Sequence, residues 1–99
     1  MNAEPADLAP HERLLHGAWT DGPGSAHDEV DRRIFWLVTR RLTLLGVAEG
    51  GWRQLYRDPH DGRVWELTFP WGSLHGGGPR RLEHVAALVA AERYGLNLD

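Results

Sequence analysis

The spacing of apolar positions changes period along the chain, and each change marks an element. Val30, Ile34, Leu37, Val38, Leu42 and Leu45 recur at intervals of mostly three and four, which lays an apolar stripe along one side of a helix. Ser25 with Asp28 fits a capping-box start, and Asp28, Glu29 and Asp31 put negative charge where the helix dipole favours it. Gly46 suits a left-handed helix end. A main helix over 26–45 is predicted, with Asp28–Arg32 and Glu29–Arg33 pairing on its wet side at the i,i+4 spacing.

From Trp52 the period shortens to two. Positions 52–57 and 63–69 read as strands, and the DPHDG sequence between them carries turn chemistry. Pro59 presets φ, Asp58 and Asp61 bond to nearby backbone, and Gly62 tolerates positive φ. A loop over 59–62 pairs Asp58 with Arg63, which sets Tyr56 opposite Trp65, Gln54 opposite Leu67 and Trp52 opposite Phe69. The other face then carries Leu55 opposite Glu66 and Arg53 opposite Thr68. A slip of one residue would exchange the aromatic face for Arg53, Arg57 and Glu66, so the register is well determined.

Pro70 ends the second strand because it has no N–H for the ladder. A glycine-rich loop follows, then a third strand over 81–85. A short helix over 86–94 stops at Gly95, and residues 14–20 form a further short strand. The fold class expected is α+β: a small antiparallel sheet with its helices on one face.

At 99 residues, 41% of them hydrophobic, the chain suits a single domain with one small core. Residues 1–12 are expected to be a flexible lead-in to a domain over 13–99. They are acidic and proline-bearing, unlike a secretion signal. No cysteine is present, which removes disulfides and thiolate chemistry and suits a cytoplasmic protein. The net charge of −3 is the wrong sign for a nucleic-acid binder, and no apolar run reaches the length of a membrane span. Neither nucleic acid nor membrane is expected as a partner.

Candidate chemistry gathers in the loop. His75-Gly76-Gly77-Gly78 invites comparison with the oxyanion loop of esterases, but that chemistry needs a G-x-S-x-G nucleophile elbow, which the chain lacks. The same glycines followed by Pro79, Arg80 and Arg81 could cradle an anion with backbone amides and guanidinium groups. The competing reading is a tight passage that only glycine can take. Glu66 has three open readings: a general base, a charged hot spot for a partner, or a water-facing strand residue paired with Arg53 or Arg57. Trp71, just past Pro70, is either an exposed anchor for a partner or a lid folded over the core. His60 is a turn residue, and no two of the six histidines stand four apart. No metal or cofactor is expected.

The whole pattern resembles the immunity protein 27 family of bacterial polymorphic toxin systems. The resemblance rests on Gly51-Trp52, Leu55-Tyr56, Asp58-Pro59, Asp61-Gly62-Arg63, Trp65-Glu66-Leu67, Pro70 and His75 through Pro79, with weaker likeness from Gly17 and Trp19 to Arg93-Tyr94. The chain departs from it at Trp71-Gly72, where more polar loop residues are expected, and residues 1–12 have no counterpart. The resemblance implies a non-enzymatic cytoplasmic antidote that binds the C-terminal domain of a cognate toxin, 1:1, with homodimerisation left open. Toxin-binding candidates are Trp71, His75, Arg80, Arg81, His60 and Glu66. The alternative is a small-anion or phosphate-binding module, or a small enzyme, using the HGGGPRR loop.

Overall fold

A computed structural model of the chain describes residues 5–22, 26–70 and 78–98. Five strands form one antiparallel sheet: β1 (Leu14–His16), β2 (Thr43–Ala48), β3 (Arg53–Arg57), β4 (Val64–Thr68) and β5 (Arg81–Val85), in the order β1-β5-β4-β3-β2. Two helices complete the α+β fold, α1 (Glu29–Trp36) and α2 (Ala87–Tyr94). None of the helices among the described residues is long and apolar enough to cross a membrane.

The hairpin has the register its side-chain pattern predicts. Tyr56 lies opposite Trp65, Gln54 opposite Leu67, Leu55 opposite Glu66 and Arg53 opposite Thr68. Beyond the last ladder pair, Trp52 and Phe69 meet edge-on at 5.4 Å between ring centroids. The turn closes by Asp58 N–H to the Arg63 carbonyl and Gly62 N–H to the Asp58 carbonyl. Asp58 also accepts from the His60 N–H and Asp61 from the Arg63 N–H, as Asx chemistry requires. Gly62 sits at φ 80°, so a side chain there would be strained.

The main helix is shorter than the stripe suggested. Asp28, rather than Ser25, caps it by accepting the Asp31 N–H; Ser25 lies outside the described residues. Past Trp36 the helix widens into a π turn over Leu37–Arg41, in which Leu42 N–H reaches the Leu37 carbonyl. Leu42 is then extended, and residues 43–48 join the sheet as β2. The spacing of Leu42, Leu45 and Gly46 predicts a helix and its end, but a stripe at i, i+3 is equally satisfied by a bulged strand. The bulge falls between Leu44 and Gly46 and sends Leu45 into a core with Leu96 and Leu98. Gly46 ends no helix. A Cβ there would stand 3.3 Å from Leu96 Cδ1 and 3.4 Å from Tyr94 Cδ2, so its role is close approach.

The helices also lie on opposite faces of the sheet rather than on one. α1 and the π turn cover the front, where Ile34 and Leu37 pack on Leu15, Tyr56, Trp65, Leu67 and Leu82. α2 covers part of the back, where Ala90 packs on Leu55 and Val64, and its end at Gly95 takes the left-handed cap expected. Central strand β4 is therefore buried on both sides.

Residues 1–12 read from composition as a loose lead-in, but of the described part, 5–12, Leu8, Ala9 and Glu12 are anchored to the domain while Ala6, Asp7, Pro10 and His11 are exposed. Leu8 is buried in the front core. Arg63 stacks over Trp65 at 4.9 Å and donates to the Ala9 and Glu12 carbonyls. Arg33 pairs with Glu12 through two bonds of 2.7 and 2.8 Å, in place of the expected Glu29. The Arg33 hydrogen bonds hold the Glu12 carboxyl down at about 2, against 4.5 ordinarily. A carboxylate with a depressed folded pKa contributes stability above its unfolded value, and that contribution is lost as pH falls from about 4.5 toward 2. Glu12→Gln is expected to cost about 1–2 kcal/mol at pH 7 and almost nothing at pH 2, since the pair is partly solvent-screened. Urea denaturation at the two pH values checks this.

Candidate functional site

The antiparallel register assembles a charged surface on the back of the sheet beside the C-terminal end of α2. Thr68 lies opposite both Arg53 and Arg81, which makes one cross-strand row. Glu66 lies opposite both Leu55 and Glu83, which makes the next. Apart from Leu55, these rows form the floor of a cleft of about 440 Å³ that Glu49, Trp52, Phe69, Pro70 and Arg93 also line.

Glu66 organises the cleft. It is 3% exposed, and its oxygens accept from Arg53 at 3.0 Å, Arg93 at 2.6 Å and the Tyr94 hydroxyl at 2.8 Å. Burial pushes its pKa upward most strongly, but the Tyr94 and Arg93 hydrogen bonds and the charges of Arg93 and Arg53 together hold it below the ordinary carboxylate range. Burial and the bond to Glu66 push the Tyr94 phenol well above its ordinary value. Neighbouring acids of one sign repel across a ladder; here Arg53 and Arg93 neutralise Glu66, while Arg81 stands 3.2 Å from Glu83. Arg53 also donates to Glu49 at 2.8 Å. A fully engaged Glu66 whose pKa lies below the ordinary carboxylate range is suited to fixing guanidinium groups in place and poorly suited to carrying a proton at neutral pH.

This corrects the three readings of Glu66 in part. It does not face water, and of the two arginines proposed as partners Arg53 pairs with it while Arg57 donates to the Gly62 carbonyl instead. The other predicted residues are scattered. His60 is exposed at the hairpin turn, at the opposite end of β3 and β4 from the Arg53–Thr68 pair of the cleft. Arg81 lines the cleft. Arg80 turns toward α1, where its backbone N–H and guanidinium bind Asp31 at 2.7 and 2.8 Å and its guanidinium lies 4.9 Å from the Phe35 ring. Gly78 and Pro79 are buried beside it. Trp71, His75, Gly76 and Gly77 lie outside the described residues. Among the described residues no group of three acidic or histidine side chains could hold a metal ion.

Sequence reasoning missed Glu49, Glu83, Arg93 and Tyr94 as members of one surface. The signal available was the Arg93-Tyr94 pair at the end of a short helix, two long polar groups able to reach back to one acceptor. It also missed Asp31, a buried carboxylate that binds His27 Nδ1 at 2.7 Å as well as Arg80.

Compared with known proteins, the chain matches the model of the family described as Immunity protein 27 over residues 22–86. That span runs from just before α1 to the end of β5 and includes most of the cleft. No curated protein matches the chain, and no solved structure matches it.

Proposed function

The chain belongs to the immunity protein 27 family, and from that premise we propose that it binds the effector domain of a cognate bacterial toxin and neutralises it as a 1:1 inhibitor. The observation that carries the reading to a surface is the cleft in which Glu66 anchors Arg53 and Arg93. An inhibitor gains affinity from polar groups already held in their bound positions, because little side-chain freedom is then lost on association. Three arginines, with Trp52 and Phe69 alongside, provide the residue types that dominate protein interfaces. The chain leaves the cleft at Pro70 and enters the 71–77 stretch, so Trp71 is proposed as an anchor at its margin. The proposal sets the protein in the cytoplasm, without a cofactor and without catalytic activity of its own.

An anion-binding role for HGGGPRR has less support, since both of its arginines are already matched by carboxylates, Arg80 by Asp31 and Arg81 by Glu83.

The test is co-purification and calorimetry with the toxin domain encoded beside the chain. A stoichiometry of one is expected. Arg81→Glu and Trp71→Ala are each expected to weaken binding at least tenfold, about 1.4 kcal/mol, with unfolding temperatures close to that of the parent. A fully folded pair of variants that bind like the parent would remove the cleft margin from the interface. Failure of the parent to bind any neighbouring toxin would remove the function itself.

A further inference from the structure

The two edges of the sheet are protected unequally. β1 is three residues long and stands between Arg13 and Gly17, which suits the short, charged edges that resist association. β2 is six residues long, TLLGVA, with no charge and no proline, and among the described residues its only strand neighbour is β3. Leu44 is 52% and Val47 56% exposed on it. A long, neutral, apolar edge of this kind is a template for another strand.

Three features of β2 match it to itself. Leu44 pairs with Tyr56 and Val47 with Gln54, and Tyr56 and Gln54 both lie on the front face. The bulge between Leu44 and Gly46 has therefore put two residues three apart on the same side of the sheet, where a regular strand would put them on opposite sides. In an antiparallel pair, opposed residues must share a face. The twofold register that opposes Leu44 to Val47 of a second copy meets that condition twice. The flanking charges agree as well. Arg40 and Arg41 precede β2 and Glu49 follows it, so antiparallel pairing sets the basic end of each copy against the acidic end of the other, although Arg41 already pairs with Asp7 and Glu49 with Arg53 within one chain.

We propose that β2 is a self-association edge, through which two copies of this chain pair antiparallel, Leu44 against Val47, to make a continuous ten-stranded sheet. The proposal concerns the chain alone and does not depend on the toxin. The floor of the cleft lies on β3, β4 and β5, away from the paired edge, which the cleft adjoins at Glu49.

The chain has no cysteine, so introduced thiols report the register directly. Opposed positions in an antiparallel pair come within disulfide range. The Leu44→Cys/Val47→Cys double variant is expected to form a covalent dimer under mild oxidation, and each single variant is expected not to. Sedimentation of the unmodified chain over a concentration series is expected to show a monomer–dimer equilibrium. Val47→Arg is expected to weaken it at least tenfold, and Leu88→Arg, at an exposed position on α2, to leave it unchanged. Should Val47→Arg fail to fold, concentration-dependent amide exchange of β2 in the unmodified chain gives the same answer, with slower exchange at higher concentration expected. A strictly monomeric parent, cross-linking by the single variants to the same extent, or equal loss of dimer in Leu88→Arg each overturns the proposal. Loss of toxin binding in Val47→Arg with a monomeric parent would instead assign the edge to the toxin.

Discussion

Glu66→Ala is expected to lower the stability of the domain by about 3 kcal/mol, a fall of roughly 12–24 °C in unfolding temperature for a chain of this size. The carboxylate is buried in the central strand and accepts three hydrogen bonds, two of them from α2. Its removal leaves the Tyr94 hydroxyl without its acceptor and brings two cations together without their anion. Breaking a buried pair costs about 3–5 kcal/mol when the surviving charge is trapped. The lower end applies here because Arg53 and Arg93 are 34% and 41% exposed and can turn to water. Glu66→Gln keeps the shape and one acceptor, and a loss of about 1–2 kcal/mol is expected. Guanidinium denaturation measures both. A loss below about 1 kcal/mol for the alanine variant would mean that α2 is held by its apolar contacts to Leu55 and Val64 alone. The folded pKa of Glu66 is depressed, so its contribution is present above the ordinary carboxylate value and fades as the pH falls below it. The difference between parent and variant must therefore shrink in acid.

Asp31→Ala is expected to cost a similar amount, about 3 kcal/mol, for a different reason. Asp31 lies in the first turn of α1, 1% exposed, where three donors converge on it: His27 Nδ1, the Arg80 N–H and the Arg80 guanidinium. It ties the start of α1 to the entry of β5. The neighbouring backbone is equally close, since a Cβ on Gly17 would stand 2.8 Å from Asp31 Cβ. Asparagine is expected to be nearly as damaging as alanine. Its amide offers one acceptor oxygen to three donors and turns an N–H group toward them. Chemical denaturation gives the stability, and faster amide exchange at Arg80 would locate the damage. An asparagine variant as stable as the parent would show that one acceptor satisfies the site.

The consequences for function differ between the two. Loss of Glu66 frees the arginines that line the cleft, so it is expected to impair binding even below the unfolding temperature. Loss of Asp31 loosens the 78–80 segment and reaches the proposed binding margin only through the chain.

How far the site was legible from sequence depends on the range of the interactions. Tyr56, Trp65 and Leu67 fall on one face while Arg53, Arg57, Glu66 and Thr68 fall on the other, and Asp58, Pro59, Asp61 and Gly62 force a turn of one length, so the hairpin register follows from adjacent residues. Glu66 was visible as a strand residue facing away from the aromatic side. That this second face is also buried depends on where α2 lands, and Arg93 and Tyr94 lie 27 and 28 positions further on. The stripe from Val30 to Leu45 misled because one period served two elements. Its first half packs as a helix, and its second half gains more from the open edge of β3 than from further helical turns. Arg80 drew notice for its place after the glycines, but its partner lies 49 residues earlier, beyond any local pattern.

What the sequence determined by itself was the set of local choices: the hairpin and its turn, the acidic start of α1, the stop of α2 at Gly95 and the family pattern carried by 51–79. These are settled within a few residues of each other, by backbone preferences and alternating side chains. Tertiary structure alone decided that residues 43–48 would be a sheet edge, that the helices would take opposite faces, and that Glu66 and Asp31 would be buried among arginines. Burial is a property of what packs on a surface, and the groups that do so here are distant in the chain.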